Sequence, residues 1–453
     1  MSRRNFILLV IVLAIVVIAI FGFLVFNSGP TTPGGESTGT NFFSQFNPFA
    51  SSKTKTPPTT IPPVEIPNNE PGTTPETTAK LIKVSTMPVA GFAVFSQERI
   101  KEIPATNPTP TLPLSGDGAT TTPVVISKTP PKATKPLTEF APILRYVDRA
   151  SGNIYETFAD KIFEQKFSIT VIPQIYEAVF GNKGQSVVMR YLKSDGRTIE
   201  TFAATLPKEL LGVDRVSNNE IKGAFLPENI KDMSLSPDTS SIFYLFNNVG
   251  NMVGTTMNLA TSKKVQIFIS PFTEWLSQWP NPGTINLTTK PASGIPGYVY
   301  SLNTSTKSLT NILSGINGLT TLASPNGKLI LYSNDNLSLN IYHTDTKVST
   351  PIGVRTLSEK CVWGSLSNTV YCAVPKSVDA GTYPDSWYQG EASFSDQIWK
   401  IDVANGNTSM LIDPATVSGG EEIDGTKLAL DDASNYLFFV NKKDSNLWEL
   451  NLK

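Results

Sequence analysis

From Asn153 to the C-terminal end, short runs of alternating apolar and polar residues return with an aromatic ring at the same place. The copies read Asn153-Ile154-Tyr155-Glu156, Tyr298-Val299-Tyr300-Ser301-Leu302-Asn303, Asn340-Ile341-Tyr342-His343-Thr344-Asp345, Gln397-Ile398-Trp399-Lys400-Ile401-Asp402 and Asn446-Leu447-Trp448-Glu449-Leu450-Asn451. Successive side chains of a strand point to opposite faces, so each copy predicts a strand with one buried face. The rings at Tyr300, Tyr342, Trp399 and Trp448 are separated by 42, 57 and 49 residues. A strand-rich unit returning every ~40–50 residues has the spacing of a propeller blade.

A second pattern accompanies the first. A tight polar turn leads into a continuous apolar run at Gly181–Gly184, Ser236–Asp238, Ser324–Lys328, Ser367–Asn368 and Asp432–Asn435. The runs that follow, such as Ile242-Phe243-Tyr244-Leu245-Phe246 and Tyr436-Leu437-Phe438-Phe439-Val440, fit strands buried on both faces. The phrase Ser-Pro-Asp/Asn-Gly-Lys, an apolar strand, then an Ile-Trp/Tyr-x-Ile-Asp strand resembles the TolB-like, WD40-like (PD40-type) propeller repeat. It is complete at Ser324–Lys328, while Thr239 stands in the Gly position of the copy beginning at Ser236. The resemblance spans roughly Leu81 to Lys453 and implies an all-β fold of four-stranded antiparallel blades round a central channel. It implies no single activity.

Units near 81–158, 168–206, 230–269, 272–313, 318–353, 355–412 and 424–453 give a β-propeller of about seven blades, within a range of six to eight. The last unit holds three strands of its own, at Lys427–Leu430, Tyr436–Val440 and Leu447–Leu452. A closed ring needs the missing edge strand supplied, and Pro88–Phe95 is expected to fill that place.

Upstream the pattern changes character. Residues 6–26 are 21 successive uncharged residues, apolar except for Gly22, and as a helix match a hydrocarbon core of about 30 Å. Arg3 and Arg4 precede this run and no further Lys or Arg occurs until Lys53. The expectation is a cytoplasmic N-terminus (1–5), an uncleaved transmembrane helix (6–26) and an extracytoplasmic remainder, making a single-pass membrane protein of the cell envelope; a cleaved signal peptide is the competing reading. Residues 27–79 hold ten Pro and twelve Thr, which predicts a disordered Pro/Thr-rich linker. The propeller domain then covers 80–453, with a low-complexity insertion at 96–138 carrying eight more Pro.

Composition narrows function without defining it. The formal net charge is -1, so no strong field draws nucleic acid, and no nucleic-acid partner is expected. His343 is the single histidine, which leaves no His-based metal cage; no Gly-rich phosphate loop and no C-x-x-C pair occurs. No cofactor, metal site or catalytic residue is assigned. Glu421, Glu422, Asp424, Asp431 and Asp432 read as a solvated acidic loop. Cys361 and Cys372 flank a turn and face each other across a hairpin, open to either a disulfide or two buried thiols.

The aromatic residues outside the repeat positions are the more informative candidates. Trp275 and Trp279 lie in Thr273–Gly283, and Tyr383, Asp385, Trp387 and Tyr388 lie in an insertion at Lys376–Asp396. Aromatics set among Pro, Asp and Gly make half-polar surfaces suited to peptides or glycans; the other reading is that they plug the channel mouth. The expected function is a membrane-anchored, extracytoplasmic propeller that binds a protein or glycan partner on one face. The alternative is a glycan lyase or hydrolase using carboxylates such as Asp385, Glu391 and Asp396.

Overall fold

The structure is a computed structural model that describes residues 80–101, 137–208 and 219–453. The apolar stretch 6–26 and the linker 27–79 lie outside the described residues. Among the described residues, no helix is long and apolar enough to cross a membrane.

Among the described residues, twenty-eight strands form seven four-stranded antiparallel sheets. The first described strand, β1 (Leu81–Lys83), belongs to the last blade. Blade 1 is β2 (Val89–Ile100), β3 (Thr138–Asp148), β4 (Ile154–Phe158) and β5 (Gln165–Lys166). Blade 2 is β6 (Ile175–Gly181), β7 (Ser186–Leu192), β8 (Ile199–Thr205) and β9 (Lys222–Phe225). Blade 3 is β10 (Ile230–Leu235), β11 (Ser241–Asn248), β12 (Asn251–Asn258) and β13 (Lys264–Ser270). Blade 4 is β14 (Trp275–Asn281), β15 (Thr284–Thr289), β16 (Pro296–Asn303) and β17 (Leu309–Asn317). Blade 5 is β18 (Thr320–Ala323), β19 (Leu329–Ser333), β20 (Ser338–His343) and β21 (Ser349–Arg355). Blade 6 is β22 (Cys361–Trp363), β23 (Thr369–Pro375), β24 (Asp396–Asp402) and β25 (Thr408–Ile412). Blade 7 is β26 (Gly425–Leu430), β27 (Tyr436–Asn441), β28 (Leu447–Asn451) and, on its outer edge, β1.

The two sequence patterns have separate places in the blade. The aromatic alternating phrase is the third strand (β4, β16, β20, β24, β28), and the apolar run is the second (β7, β11, β19, β23, β27). The turn between first and second strands needs one left-handed residue, and Gly327 supplies it with φ 70°. Thr239 (φ 58°), Ser367 (58°) and Ser434 (54°) hold the same backbone where the motif has lost its glycine. In all four copies the N–H of this residue donates to the carbonyl three positions earlier. The turn has thus outlasted its signature residue.

Ring closure corrects one expectation. The strand that completes blade 7 is Leu81–Lys83, paired Leu81 to Leu450, Ile82 to Glu449 and Lys83 to Trp448. Pro88–Phe95 does not fill this place, because Val89–Ile100 is the innermost strand of blade 1. There Gly91 allows an unusually close approach: a Cβ on it would sit 1.9 Å from the carbonyl oxygen of Ala178 on β6. Strands β2 and β3 stay paired out to Ile100 and Thr138. Paired ribbon therefore occupies both ends of the low-complexity stretch, and 102–136 lie outside the described residues.

Apolar clusters fill the seams between neighbouring blades. One joins Val147 and Ile154 of blade 1 to Ile175, Phe180 and Met189 of blade 2; another joins Tyr371 and Ile398 of blade 6 to Leu437, Phe439 and Trp448 of blade 7. This is why the second strands are apolar on both faces.

Candidate functional site

Antiparallel strands taken in order place their connections at alternate ends of a blade. The links between blades and the loops joining second to third strands therefore share one end, here called the upper end. The insertion Lys376–Ser395, the approach to β22, the approach to β26, the turn Arg149–Asn153 and the link Val84–Pro88 all lie there.

The insertion forms a cap. Its single helical turn, Asp385–Tyr388, leads into Phe394, and Tyr383, Trp387 and Phe394 pack on Leu337 and Leu357. An Asp385 carboxylate oxygen accepts the N–H of Ser293 from blade 4 at 2.5 Å. At the other side, Lys442 of blade 7 donates to the carbonyl of Trp387, and its ammonium lies 4.1 Å from the Trp387 ring centroid. The cap so reaches from blade 4 to blade 7.

Beneath the cap lies a buried charge cluster. Lys360 is 0% exposed and its Nζ donates to Asp396 at 2.8 Å and to Asp424. The Trp387 and Phe394 rings flank its ammonium, each with its centroid 5.2 Å away. Asp424 accepts the Trp387 indole N–H at 3.0 and 3.1 Å and the Phe394 N–H at 3.1 Å. Asp396 accepts the Gly425 N–H at 2.7 Å. Burial pushes the Asp396 carboxyl up and Lys360 opposes that shift. A buried lysine is tolerated only where its charge is paired and hydrogen-bonded, and Lys360 has two carboxylates as acceptors here. Tyr388 donates to Glu359 at 2.6 Å at the cluster's edge.

The sequence-predicted aromatics are thus largely structural. Trp387 and Tyr383, expected on a binding surface, are buried (5% and 4% exposed), and Tyr388 alone of these rings is exposed. Trp275 and Trp279 lie on β14 and not in a loop. Trp275 is buried edge-on against Phe268, Phe272 and Tyr300, with its indole N–H on the Phe272 carbonyl at 2.8 Å. Trp279 packs partly buried on the same cluster. Nor do Asp385, Glu391 and Asp396 meet as an acid/base pair, since Asp385 binds Ser293, Asp396 is sealed in with Lys360 and Glu391 is exposed. The acidic run is split as well: Asp424 is buried with Lys360, and Asp431 accepts the N–H of Tyr436 at 2.7 Å at the lower end. Cys361 and Cys372 pair directly across β22 and β23 and are joined as a disulfide.

The cap leaves blades 1 to 3 open. The channel mouth beside them carries an unannounced set of polar groups from β6, β7 and β10, joined by Lys427 from β26 of blade 7. Arg190 (6% exposed) pairs with Glu177 directly across the sheet, donates to the Ile230 carbonyl and lies 5.1 Å from the centroid of Tyr176. Asp232 accepts the N–H and hydroxyl of Ser277, both at 2.6 Å, and burial pushes its carboxyl up to about 6. Lys427, at φ 51° in a bulge of β26, donates to the Ala90 carbonyl at 2.8 Å, and burial lowers its pKa. A cavity of about 490 Å³ opens beside this set, lined by Pro88, Arg149, Ala150, Gln174, Tyr176 and Leu192. Its residues come from two links between blades, a turn of blade 1 and strands β6 and β7, so no local motif marks it.

Among the described residues, no group of three or more His, Cys, Asp or Glu side chains is arranged to hold a metal ion.

Fold and site together define a seven-bladed β-propeller with one capped and one open half at its upper end. No protein-family model matches the chain, and no curated protein matches it. Among solved structures it is similar to an oligogalacturonate lyase in complex with manganese, at TM-score 0.44 and 9% identity over 69% of this chain and 85% of that one. It is also similar to an oligogalacturonate lyase from Vibrio parahaemolyticus, at TM-score 0.42 and 8% identity over 69% and 86%.

Proposed function

We propose that this chain is a non-catalytic binding module of the cell envelope, carried outside the membrane on its N-terminal segment, with the open half of the upper end as its recognition face. The observation that carries this reading is the division of that end. The cap seals blades 4 to 7 with aromatics and matched charges, while Tyr176, Arg149 and Gln174 stand round an open cavity over blades 1 and 2. Pockets with apolar walls and a few convergent polar groups are the usual form of a recognition site. The Cys361–Cys372 disulfide supports an oxidising compartment, as do the uncharged run 6–26 and the arginines before it. The TolB-like repeat turns support kinship with propellers that act as docking platforms.

Site-specific photo-crosslinking in intact cells tests this. A crosslinker at Ala150, on the upper end, is expected to trap one discrete partner. The same probe at Leu366, exposed on a lower-end turn, is expected to trap none. Adducts at Leu366 alone, or at neither position, would refute the proposal.

A further inference from the structure

We infer that the cavity over blades 1 and 2 receives the free carboxy terminus of a peptide whose last residue is apolar; this rests on the binding reading above and names its ligand. The walls settle the shape of the guest. Pro88, Ala150, Leu192 and one face of the Tyr176 ring make an apolar lining, which suits a hydrocarbon side chain. The cavity is built stiffly. The Arg149 N–H donates to the Pro88 carbonyl at 2.9 Å, the Ile172 N–H to Ser151 at 2.8 Å and the Gln174 N–H to Ala150 at 3.3 Å. Gly152 (φ 73°) lets the strap formed by residues 168–174 lie close; a Cβ there would meet the Ile172 carbonyl oxygen at 2.4 Å.

The polar groups settle the charge. Arg149 lines the cavity and is exposed, and its one side-chain hydrogen bond among the described residues is to Ser445 at 3.2 Å. A guanidinium has five N–H donors in a planar fork that matches a carboxylate. Arg149 is the one charged residue of the lining and no carboxylate belongs to it, so the cavity sets a positive charge beside its apolar wall. The Tyr176 hydroxyl is buried with no hydrogen-bond partner, although a buried donor left unmade is costly. A carboxylate held by Arg149 has a second oxygen for such a donor.

Alternatives fit less well. A compact inorganic anion makes no use of Pro88, Ala150 and Leu192. A sugar presents hydroxyls on most sides, where this lining offers Arg149, Gln174 and Tyr176 alone. An internal Asp or Glu carries its charge on a side chain flanked by backbone amides. Among the positions of a peptide, the chain end alone sets a carboxylate and an apolar side chain on the same carbon.

Fluorescence polarisation of the full-length protein in detergent tests the inference. The probes are fluorescein-Gly-Ser-Gly-Ala-Leu with a free carboxylate, the same peptide as its carboxamide, and the free acid ending in Ser. The acid ending in Leu is expected to bind about tenfold more tightly than its amide and more tightly than the Ser peptide, as losing one charge-assisted hydrogen bond implies. Arg149→Gln is expected to abolish the preference for acid over amide while the melting temperature stays put, because this side chain is exposed. Tyr176→Phe is expected to weaken the acid alone. Equal binding of acid and amide, no binding of either, or a preference that survives Arg149→Gln would overturn the inference. If the Ala150 crosslink still forms when the peptides fail, the ligand class is wrong and the binding reading stands; if both fail, both fall.

Discussion

Glu449 offers the sharpest test of how the ring closes. It sits on β28, opposite Ile82 of the closing strand, and is 2% exposed. Its Oε2 is buried with no hydrogen-bond partner. Burial first, and then the Asp160 and Asp431 carboxylates, push its pKa from 4.5 up to about 8. Asp160 is itself held by Arg99. The folded state therefore binds this proton more tightly than the unfolded chain does. Its stability is fully present below about pH 4.5, falls as pH rises and reaches its floor above about pH 8. At about 1.4 kcal/mol per pH unit, the whole interval amounts to roughly 5 kcal/mol, of which about 3 is lost by pH 7. Glu449→Gln keeps the shape and removes the titration. Urea unfolding of wild type and variant between pH 5 and pH 8 should show the variant gaining about 3 kcal/mol on the wild type over that range. Two stability curves that stay parallel would refute the reasoning, for then Glu449 is ionised in the folded protein or equally protonated in both states.

Three other outcomes follow from the same packing. Lys360→Met leaves Asp396 and Asp424 buried without their cation and should cost about 3–5 kcal/mol, measured by urea unfolding; adding Asp396→Asn to the same chain should recover part of the loss. Replacing Cys361 and Cys372 together by Ala opens a link between positions 11 apart and should lower stability by about 3 kcal/mol, with reductant producing a similar fall in the wild type. Leu81→Ala should cost about 2–3 kcal/mol and speed hydrogen exchange at Leu447 and Asn451, whose N–H groups bond to Ser85 and Lys80 beside the closing strand.

The blades were readable because a strand that buries one face must alternate and a strand buried on both must not. Those rules act within a few residues, so Ile398-Trp399-Lys400-Ile401 and Phe438-Phe439-Val440 declare their strands wherever the ring places them. The turn before each second strand is local too, which explains why Thr239, Ser367 and Ser434 keep its form. The closing strand is not legible in the sequence because Leu81-Ile82-Lys83 is three residues long, too short for any period, while Val89–Phe95 is a longer and stronger pattern. The site was the least legible part. Trp387 and Tyr383 sit among Pro, Asp and Gly as surface aromatics do. Their burial depends on Leu337, Leu357 and the Lys360 cluster, which reach them only through the fold. The burial of Trp275 is hidden in the sequence because Pro280, Pro282 and Gly283 surround the end of its strand, while its neighbours Phe268 and Tyr300 belong to other strands. Arg149, Tyr176 and Lys427 meet across three blades, and no spacing in the chain encodes that meeting.

The open mouth also lies on the seam where the ring is joined. At the upper end blade 7 and blade 1 are tied by Lys427 Nζ to the Ala90 carbonyl at 2.8 Å, Arg149 Nη1 to Ser445 at 3.2 Å and the Val89 N–H to the Ser445 carbonyl at 2.8 Å. Farther along the same seam stands Glu449, which weakens it as the pH rises. A ligand held by Arg149 grips one side of this joint and binds only when the two blades are in place. By mass action such a ligand raises stability by about 2.7 kcal/mol at a hundredfold excess over its Kd. The gain should be the same in Glu449→Gln as in the wild type, since ligand and proton act at opposite ends of the seam. Thermal unfolding of both proteins with and without the Leu-terminated peptide checks this. A gain that disappears in Glu449→Gln would mean that mouth and seam are one coupled element, and the separation of recognition from closure drawn from these contacts would be wrong.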